Sequence, residues 1–327
     1  MTWLSTFTQG LARALRFGRP ARQPAPVLHV ASDVGKGPTV VLVHGIASSS
    51  VTFKNVVPLL EHRFHCISID ILGFGRSPAP ATAEYTLDEH VAALRATFKA
   101  HKIRGPVILI GHSLGSLISA RFAAEYPQLV SHLVLISPPV YLAPSALGDK
   151  RARVENDLYL KAYDYLRANK EFTMANARFI ARLLPIKGVF EITEESWTPF
   201  IKSMANCIEN QTIISDLSRV KAPIDVVYGS LDQFIPRGGL DIIARMRGVT
   251  MHRVEANAHV IRRRLARVVA QVLVGDELAR DLPPLIEATL ASATSEFPKP
   301  ERVKPQLRPS AKVERANSSQ PQQETPG

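Results

Sequence analysis

Short apolar stretches alternate with helical patterns along most of the chain. The stretches with the length and composition of strands are Val27–Asp33, Thr39–His44, Phe64–Asp70, Val107–Ile110, Leu133–Ser137, Ile224–Gly229 and Thr250–Glu255. Helical periodicity is found at Thr52–His62, from Thr86 to about Lys102, at Leu114–Tyr126 and from about Val260 to Val274. This alternation predicts an α/β fold with a mostly parallel sheet covered by helices on both faces. Ligands of such sheets bind beyond the carboxyl ends of the strands.

One interval departs from the alternation. Residues 139–220 contain helical patterns and no convincing strand. A helical insertion between two strands predicts a cap over the carboxyl edge of the sheet. Its many aromatic side chains either line a substrate pocket or form the core of the cap itself, and periodicity does not separate the two.

Both ends of the chain differ from the body. Residues 296–327 are rich in Pro, Gln, Ser and charge, so we expect a disordered tail, either plainly solvated or a partner-binding arm. Residues 1–26 combine a basic amphipathic pattern with a Pro-rich linker. Residues 2–17 could make a peripheral contact with an anionic membrane, dock on the domain or a second subunit, or stay disordered. The predicted divisions are therefore 1–26, a core of 27–138 and 221–295, a cap of 139–220, and a tail of 296–327.

Composition and charge exclude several classes of protein. The net charge of the 327 residues is +11. Residues 1–26 carry +4, from four arginines without an acid, and residues 296–327 carry +2, from six basic and four acidic residues, so +5 remains for the body. This balance does not favour nucleic acid as a partner. Cys66 and Cys207 are the only cysteines, which argues against a disulfide scaffold and favours the cytoplasm. No metal-ligand cluster or phosphate-binding glycine loop is recognisable, so we expect no cofactor.

The stretch LIGHSLGSLI places Ser113 between two glycines where a predicted strand ends and a helix begins. One interpretation is a nucleophile on a sharp turn, where Gly111 and Gly115 relieve crowding. The other is a loop that happens to contain small residues. In the first case the N–H of Leu114, at the helix N-terminus, can face a developing oxyanion.

A serine nucleophile needs a base, and the base needs an orienting carboxylate. Asp232 follows the strand Ile224–Gly229, and His259 follows the last strand. The rival residues fit less well, because His252 lies within a strand and His112, beside Ser113, should point away from it. The second oxyanion donor is expected in HGIASSS, after the strand Thr39–His44, with Ile46 as the N–H donor; a plain strand-to-helix loop is the alternative.

The motifs HGIASSS, DILGFGRS, GHSLG, GSLDQFIP and NAHVI, in this order, resemble those of the α/β-hydrolase superfamily, in its capped serine-nucleophile (esterase/lipase-like) branch. The resemblance covers about residues 27–275. It implies an eight-stranded, mostly parallel sheet with a helical cap inserted before Asp232. It also implies Ser113 as nucleophile, Asp232 as acid, His259 as base, and Ile46 and Leu114 as oxyanion donors. Asp70 and Arg76 fall in a motif that is usually structural.

Serine at the turn, where haloalkane dehalogenases and epoxide hydrolases of this superfamily use aspartate, favours cleavage of a carboxylic ester through an acyl-enzyme. HGIASSS also departs from the glycine-rich loop of the carbon–carbon-bond hydrolases. The expected partner is a small or medium apolar ester. An acyltransferase, a cofactor-free perhydrolase and a catalytically silent binding protein with the same fold remain alternatives.

Overall fold

A seven-stranded sheet lies at the centre of the residues that the structure describes. The computed structural model of the chain describes residues 24–141, 150–183, 192–235 and 237–279. The predicted amphipathic segment at 2–17 and the predicted tail at 296–327 lie outside these ranges. The strands are β1 (Val30–Val34), β2 (Thr39–Val43), β3 (His65–Ile69), β4 (Val107–His112), β5 (Val130–Ile136), β6 (Ile224–Gly229) and β7 (Val249–Val254).

The sheet is parallel except at one edge, as the sequence predicted. Its order is β1-β3-β2-β4-β5-β6-β7, and β1 pairs with β3 in the antiparallel direction. The eight strands implied by the family resemblance were wrong for the described residues. Residues 24–29, which precede β1, form no strand. There the N–H of Leu28 donates to Thr97 Oγ1 at 2.8 Å, a side-chain acceptor on a helix.

Helices cover both faces of this sheet. They are α1 (Val57–Leu60), α2 (Leu87–Ala100), α3 (Leu114–Glu125), α4 (Lys150–Ala168), α5 (Lys170–Leu183), α6 (Glu194–Ser203), α7 (Ile213–Arg219), α8 (Arg237–Ile243) and α9 (Arg263–Ala279). A π-helix, Met204–Glu209, continues α6. Within the described ranges, none of these helices has both the length and the apolar character needed to cross a membrane.

One helix prediction differs from the structure. The predicted helix Thr52–His62 is divided into a 3-10 helix, Ser50–Phe53, and the short α1. Pro58 explains the division, because its ring and missing N–H are compatible only with the first turn of a helix. The helix predicted from Thr86 begins with a capping box, in which the N–H of Glu89 donates to Thr86 Oγ1 at 3.2 Å and the N–H of Thr86 donates to Glu89 Oε2 at 3.0 Å.

The continuous apolar runs of the strands are explained by burial on both faces. In β2, Val41 and Val43 pack with the core on the α2 and α3 side, whereas Val40 and Leu42 pack with the core on the α1 and α9 side. All four side chains are almost inaccessible to water. Because no strand face of β2 meets solvent, the usual alternation of apolar and polar residues is absent there.

The insertion between β5 and β6 consists of helices in its described parts, and α6 with its π-helix is joined firmly to the core. Lys202 Nζ donates to the carbonyl of Ala83 at 3.0 Å, and Cys207 Sγ donates to the carbonyl of Tyr85 at 3.1 Å. His90 of α2 lies 3.2 Å from Ser203 Oγ through its Nε2 atom. These contacts fix one half of the insertion above the loop that follows β3.

His90 predicts a pH dependence of folding. Burial of its ring, together with the nearby His44, lowers the pKa of His90 from 6.5 to about 3. In the unfolded chain the ring is hydrated, so between these two pH values the unfolded state binds the additional proton. The free energy of unfolding should therefore fall as the pH is lowered from about 6.5 towards 3, by up to about 1.4 kcal/mol per pH unit for this group.

Urea unfolding at several pH values between 7 and 4 measures this slope in the wild type and in His90→Leu. The variant should show the shallower slope, whatever its stability at pH 7. His62→Leu, at an exposed position, is the control and should retain the wild-type slope. Equal slopes in the wild type and His90→Leu would contradict a neutral, buried ring.

Candidate active site

Ser113 occupies a sharp turn between β4 and α3. Its φ is 54° and its ψ is −122°, a conformation that residues with a side chain rarely adopt. Its N–H donates to the carbonyl of Ile136 on β5 at 2.9 Å, and its own carbonyl accepts from the N–H of Ser116 at 2.8 Å. These bonds hold the turn at the carboxyl end of the sheet, where the sequence predicted it.

Glycines allow two backbone segments to meet at this turn. A Cβ atom at Gly115 would lie 2.1 Å from the carbonyl oxygen of Val43 and 2.5 Å from that of His44. A Cβ atom at Gly45 would lie 2.8 Å from the Cβ of Ser113. The loop after β2 therefore passes directly against the turn that carries Ser113, and only glycine permits this distance.

The same loop holds the predicted oxyanion donor Ile46. The N–H of Ile71 donates to His44 Nε2 at 3.0 Å, so the proton of the neutral His44 ring is on Nδ1, which donates to the carbonyl of Gly45 at 2.8 Å. In a trans peptide the C=O and the N–H point in opposite directions. Anchoring the Gly45 carbonyl thus turns the N–H of Ile46 away from His44. Within the described residues, neither this N–H nor that of Leu114 has a hydrogen-bond acceptor.

Asp232 and His259 are brought together from the ends of β6 and β7. His259 Nδ1 lies 3.0 Å and 2.9 Å from the two carboxylate oxygens of Asp232. A carboxylate only accepts, so Nδ1 carries the proton and the lone pair of the neutral ring is on Nε2. No hydrogen bond joins the His259 ring to the Ser113 hydroxyl among the described residues. Such bonds are often long in ligand-free sites and shorten when substrate binds.

Asp232 remains a carboxylate despite its burial. Burial by itself would raise the pKa of this carboxyl, but the charge and hydrogen bond of His259, the Ser137 hydroxyl and the N–H of Phe234 outweigh it and lower the pKa. The N–H of Phe234 donates to Asp232 Oδ1 at 3.0 Å.

His112 links the turn of Ser113 to the loop of His259. His112 Nε2 donates to the backbone carbonyl of His259 at 3.0 Å, and the two ring centroids are 5.0 Å apart. Burial, with the nearby His259, lowers the pKa of His112 to about 3, so the ring stays neutral. The sequence predicted a structural residue pointing away from Ser113, and this contact gives it a specific structural partner.

A second close backbone contact joins the loops of the acid and the base. A Cβ atom at Gly229, the last residue of β6, would lie 2.1 Å from the carbonyl oxygen of Asn257. The N–H of Leu231 donates to the same carbonyl at 2.9 Å. The side chain of Asn257, which is buried, donates through Nδ2 to the carbonyl of Ala258 at 2.6 Å. The loops that carry Asp232 and His259 are thereby held as one unit.

Asp70 has a structural environment. Its Oδ1 accepts from the N–H of Ser50 at 2.9 Å and from the Ser50 hydroxyl at 2.7 Å, and its Oδ2 accepts from the N–H of Arg76 at 2.9 Å. These bonds connect the loops that follow β2 and β3. The described residues include no cluster of three or more His, Cys, Asp or Glu side chains suited to a metal ion.

Sequence reasoning missed two residues of the site. The ring of Phe234 packs against His259 with centroids 5.0 Å apart, and its carbonyl accepts from the hydroxyl of Tyr141 at 2.7 Å. Phe234 lies two residues after Asp232, so its place in the motif GSLDQFIP could have indicated a role. No pattern in the sequence indicates that Tyr141 reaches this loop.

Comparison with known proteins identifies the family. Residues 38–261 match the family model described as alpha/beta hydrolase fold. The match covers more than half of the chain and spans all five motifs, from His44 to Ile261. The protein therefore belongs to the alpha/beta hydrolase fold family, and the superfamily predicted from the motifs is confirmed.

Individual relatives differ in how much they share with this chain. A 2-(acetamidomethylene)succinate hydrolase of Mesorhizobium japonicum is 29% identical over 224 residues, 66% of this chain and 78% of the relative. A probable lysophospholipase of Arabidopsis thaliana, BODYGUARD 3, is 35% identical over 137 residues, 38% of this chain and 26% of the relative. A crystal structure of a putative lipase from Acinetobacter baumannii superposes with a TM-score of 0.58 at 19% identity, over 79% of this chain and 93% of that chain. Several other curated relatives are matched over only 30% of their own length.

The contact at Gly115 predicts a severe effect of a single methyl group. Gly115→Ala would force the β2 loop and the turn apart, because the facing atoms are backbone carbonyl oxygens that cannot rotate away. Overpacking of this kind lowers the free energy of unfolding by about 1–3 kcal/mol or more. The melting temperature should therefore fall by several degrees. Ser119→Ala in the same helix is the control. It removes a buried hydroxyl without a partner in the described structure and should leave stability nearly unchanged. A Gly115→Ala protein as stable as Ser119→Ala would refute the contact.

Proposed function

We propose that the protein is a serine hydrolase that cleaves a carboxylic ester of a small or medium apolar substrate through an acyl-enzyme intermediate. The observation that carries the proposal is the hydrogen bonding of His259 Nδ1 to both oxygens of Asp232, beside the strained turn of Ser113. A nucleophile, a base with a free Nε2 lone pair and an ionised orienting carboxylate are the groups that acyl transfer to serine requires.

In the proposed reaction, His259 Nε2 takes the proton of Ser113 as Ser113 Oγ attacks the ester carbonyl carbon. The protonated ring then gives this proton to the leaving alcohol, and the acyl group remains on Ser113. A water molecule, deprotonated by His259, attacks the acyl carbon, releases the carboxylic acid and restores the serine. Asp232 stays ionised throughout and stabilises the protonated ring through Nδ1.

The N–H groups of Ile46 and Leu114 are the proposed oxyanion donors. Both lack a protein acceptor in the described structure, and both lie on the segments that Gly45 and Gly115 bring together. Fixed donors of this kind stabilise a tetrahedral intermediate by about 3 kcal/mol each, because they are already oriented when the charge develops. The His44 bond to the Gly45 carbonyl supports this orientation.

An apolar substrate is proposed because the neighbours of the three residues are apolar. Leu114 is buried beside Ser113, and Ile46 packs against the same core. Leu231 and Phe234, on either side of Asp232, are 63% and 42% exposed, which is unusual for large apolar side chains beside a polar site. They offer a surface for the alcohol part of an ester next to the base that must protonate it.

Hydrolysis is favoured over acyl transfer because water can reach the base. The His259 side chain is 19% exposed, whereas an acyltransferase must keep water from the acyl-enzyme. A perhydrolase or an acyltransferase would use the same three residues, and assays with peroxide, or with an added alcohol or thiol, distinguish them. A catalytically silent binding protein is the alternative outside enzymology, and it would not react with a fluorophosphonate.

The proposed reaction needs no cofactor, since the nucleophile, the base and the oxyanion donors are all protein groups. The proposal includes the division of the chain into core, cap and terminal segments, with residues 139–220 as a helical cap over the carboxyl edge of the sheet. We further propose that the protein is located in the cytoplasm and that residues 2–17 make a peripheral contact with a membrane.

Variants of the three residues test the proposal with p-nitrophenyl esters of two to sixteen carbons. Ser113→Ala and His259→Ala should each lower kcat/KM by several orders of magnitude, and Asp232→Asn should do so by a comparable or smaller factor. A fluorophosphonate should label the wild type at Ser113, as peptide mass spectrometry would show, and should not label Ser113→Ala.

Asp225→Asn is the matched control for Asp232→Asn. Asp225 also bonds histidines on neighbouring strands, with Oδ2 2.6 Å from His132 Nε2 and Oδ1 2.5 Å from His252 Nε2. It lies within β6, away from the strand ends that carry the site. Its replacement should leave kcat within about twofold of the wild type.

Normal ester turnover in Ser113→Ala would refute the mechanism.

A further inference from the structure

We propose that two tyrosines, Tyr141 after β5 and Tyr163 on α4, position the loop of Asp232 and thereby make helix α4 part of the catalytic apparatus. This inference rests on the proposed function. Neither hydroxyl contacts Asp232 or His259 in the described structure, so both tyrosines are positioning residues. They act through the backbone of Phe234.

The atoms form one continuous chain of hydrogen bonds. Tyr163 and Tyr141 have their hydroxyl oxygens 2.6 Å apart, and the hydroxyl of Tyr141 lies 2.7 Å from the carbonyl oxygen of Phe234. A carbonyl only accepts, so Tyr141 donates its proton to Phe234. The proton in the bond between the two tyrosines must then come from Tyr163. Each tyrosine therefore has a distinct place in this chain of bonds, with Tyr141 donating to the loop and Tyr163 donating to Tyr141.

Phe234 transmits this contact to the acid and to the base. Its N–H donates to Asp232 Oδ1 at 3.0 Å, and its ring stands against the His259 ring at an interplanar angle of 63°. The carbonyl held by Tyr141 and the N–H held by Asp232 belong to the same residue. A shift of the Phe234 carbonyl would therefore alter both the hydrogen bond to Asp232 and the packing of His259.

The chain of bonds is partly shielded from water. Tyr141 is 5% exposed, and its ring meets that of Tyr163 edge to face with centroids 5.5 Å apart. Hydrogen bonds shielded from water lose more when one partner is removed, because the remaining group has no solvent replacement. Phe234 itself is 42% exposed, so its ring alone does not fix the loop.

Conservative removal of one hydroxyl at a time tests the proposal. The variants are Tyr163→Phe, Tyr141→Phe and the double variant, each of which keeps the aromatic ring. Tyr165→Phe is the matched control, because Tyr165 lies on the same helix, is 53% exposed and packs its ring against Phe172 at 5.4 Å. The measurements are kcat and KM on the preferred p-nitrophenyl ester, the rate of fluorophosphonate labelling of Ser113, and the melting temperature.

Tyr163→Phe and Tyr141→Phe should each lower kcat and the labelling rate by about five- to tenfold, the effect of about one hydrogen bond. KM should change by less than twofold, because the tyrosines orient the acid and base rather than the substrate. Tyr165→Phe should match the wild type. In the double variant the loss in kcat should be clearly smaller than the product of the two single losses, since both hydroxyls belong to one chain of hydrogen bonds.

Three results would overturn the proposal. The first is a kcat of Tyr163→Phe within twofold of Tyr165→Phe. The second is an additive loss in the double variant, which would mean separate roles. The third is a loss of activity at 37 °C that disappears at 15 °C, well below the melting temperature, which would indicate only lost stability. If the wild type neither hydrolyses esters nor reacts with the fluorophosphonate, the proposed function is refuted and the inference with it. If the wild type is reactive and any of the three results is found, only the inference is refuted.

Discussion

Backbone contact between neighbouring strand ends is the constraint on which the site depends. It occurs twice, once where Gly115 meets the carbonyls of Val43 and His44, and once where Gly229 meets that of Asn257. The first contact joins the turn of Ser113 to the loop of Ile46. The second joins the loop of Asp232 to the loop of His259. A side chain at either glycine would separate groups that must lie within a few ångströms of one another for the proposed chemistry.

Neutral histidines connect these two contacts. His112 donates from the turn of Ser113 to the backbone of His259, and His44 orients the peptide that carries the N–H of Ile46. Burial lowers the pKa of both rings, with the largest contribution from desolvation in each case. An uncharged imidazole can serve as both donor and acceptor without placing a further positive charge beside His259. This explains why histidine, rather than lysine or arginine, suits these positions.

The sequence predicted the site best where a side chain suited to catalysis directly follows a predicted strand. Ser113, Asp232 and His259 could be singled out because each follows a short apolar run, and the carboxyl ends of parallel strands lie at one edge. The Tyr141–Phe234 contact could not be predicted, because it depends on the position of a helical insertion that strand periodicity does not define. The division of the helix at Pro58 could have been predicted from proline alone, since its ring excludes a helix interior. The eighth strand came from the family resemblance, not from a pattern in the residues.

The long sequence separation of the contacting groups has a consequence for biosynthesis. His112 bonds the carbonyl of His259 across 147 residues, and Asn55 Nδ2 bonds the carbonyl of Ile261 across 206 residues at 3.0 Å. The ribosome therefore synthesises the turn of Ser113 long before the segment around His259 that completes its surroundings. Chains rich in contacts between such distant residues fold slowly. The proposed triad is thus incomplete until His259 has been synthesised, so activity through it would require the C-terminal third of the chain.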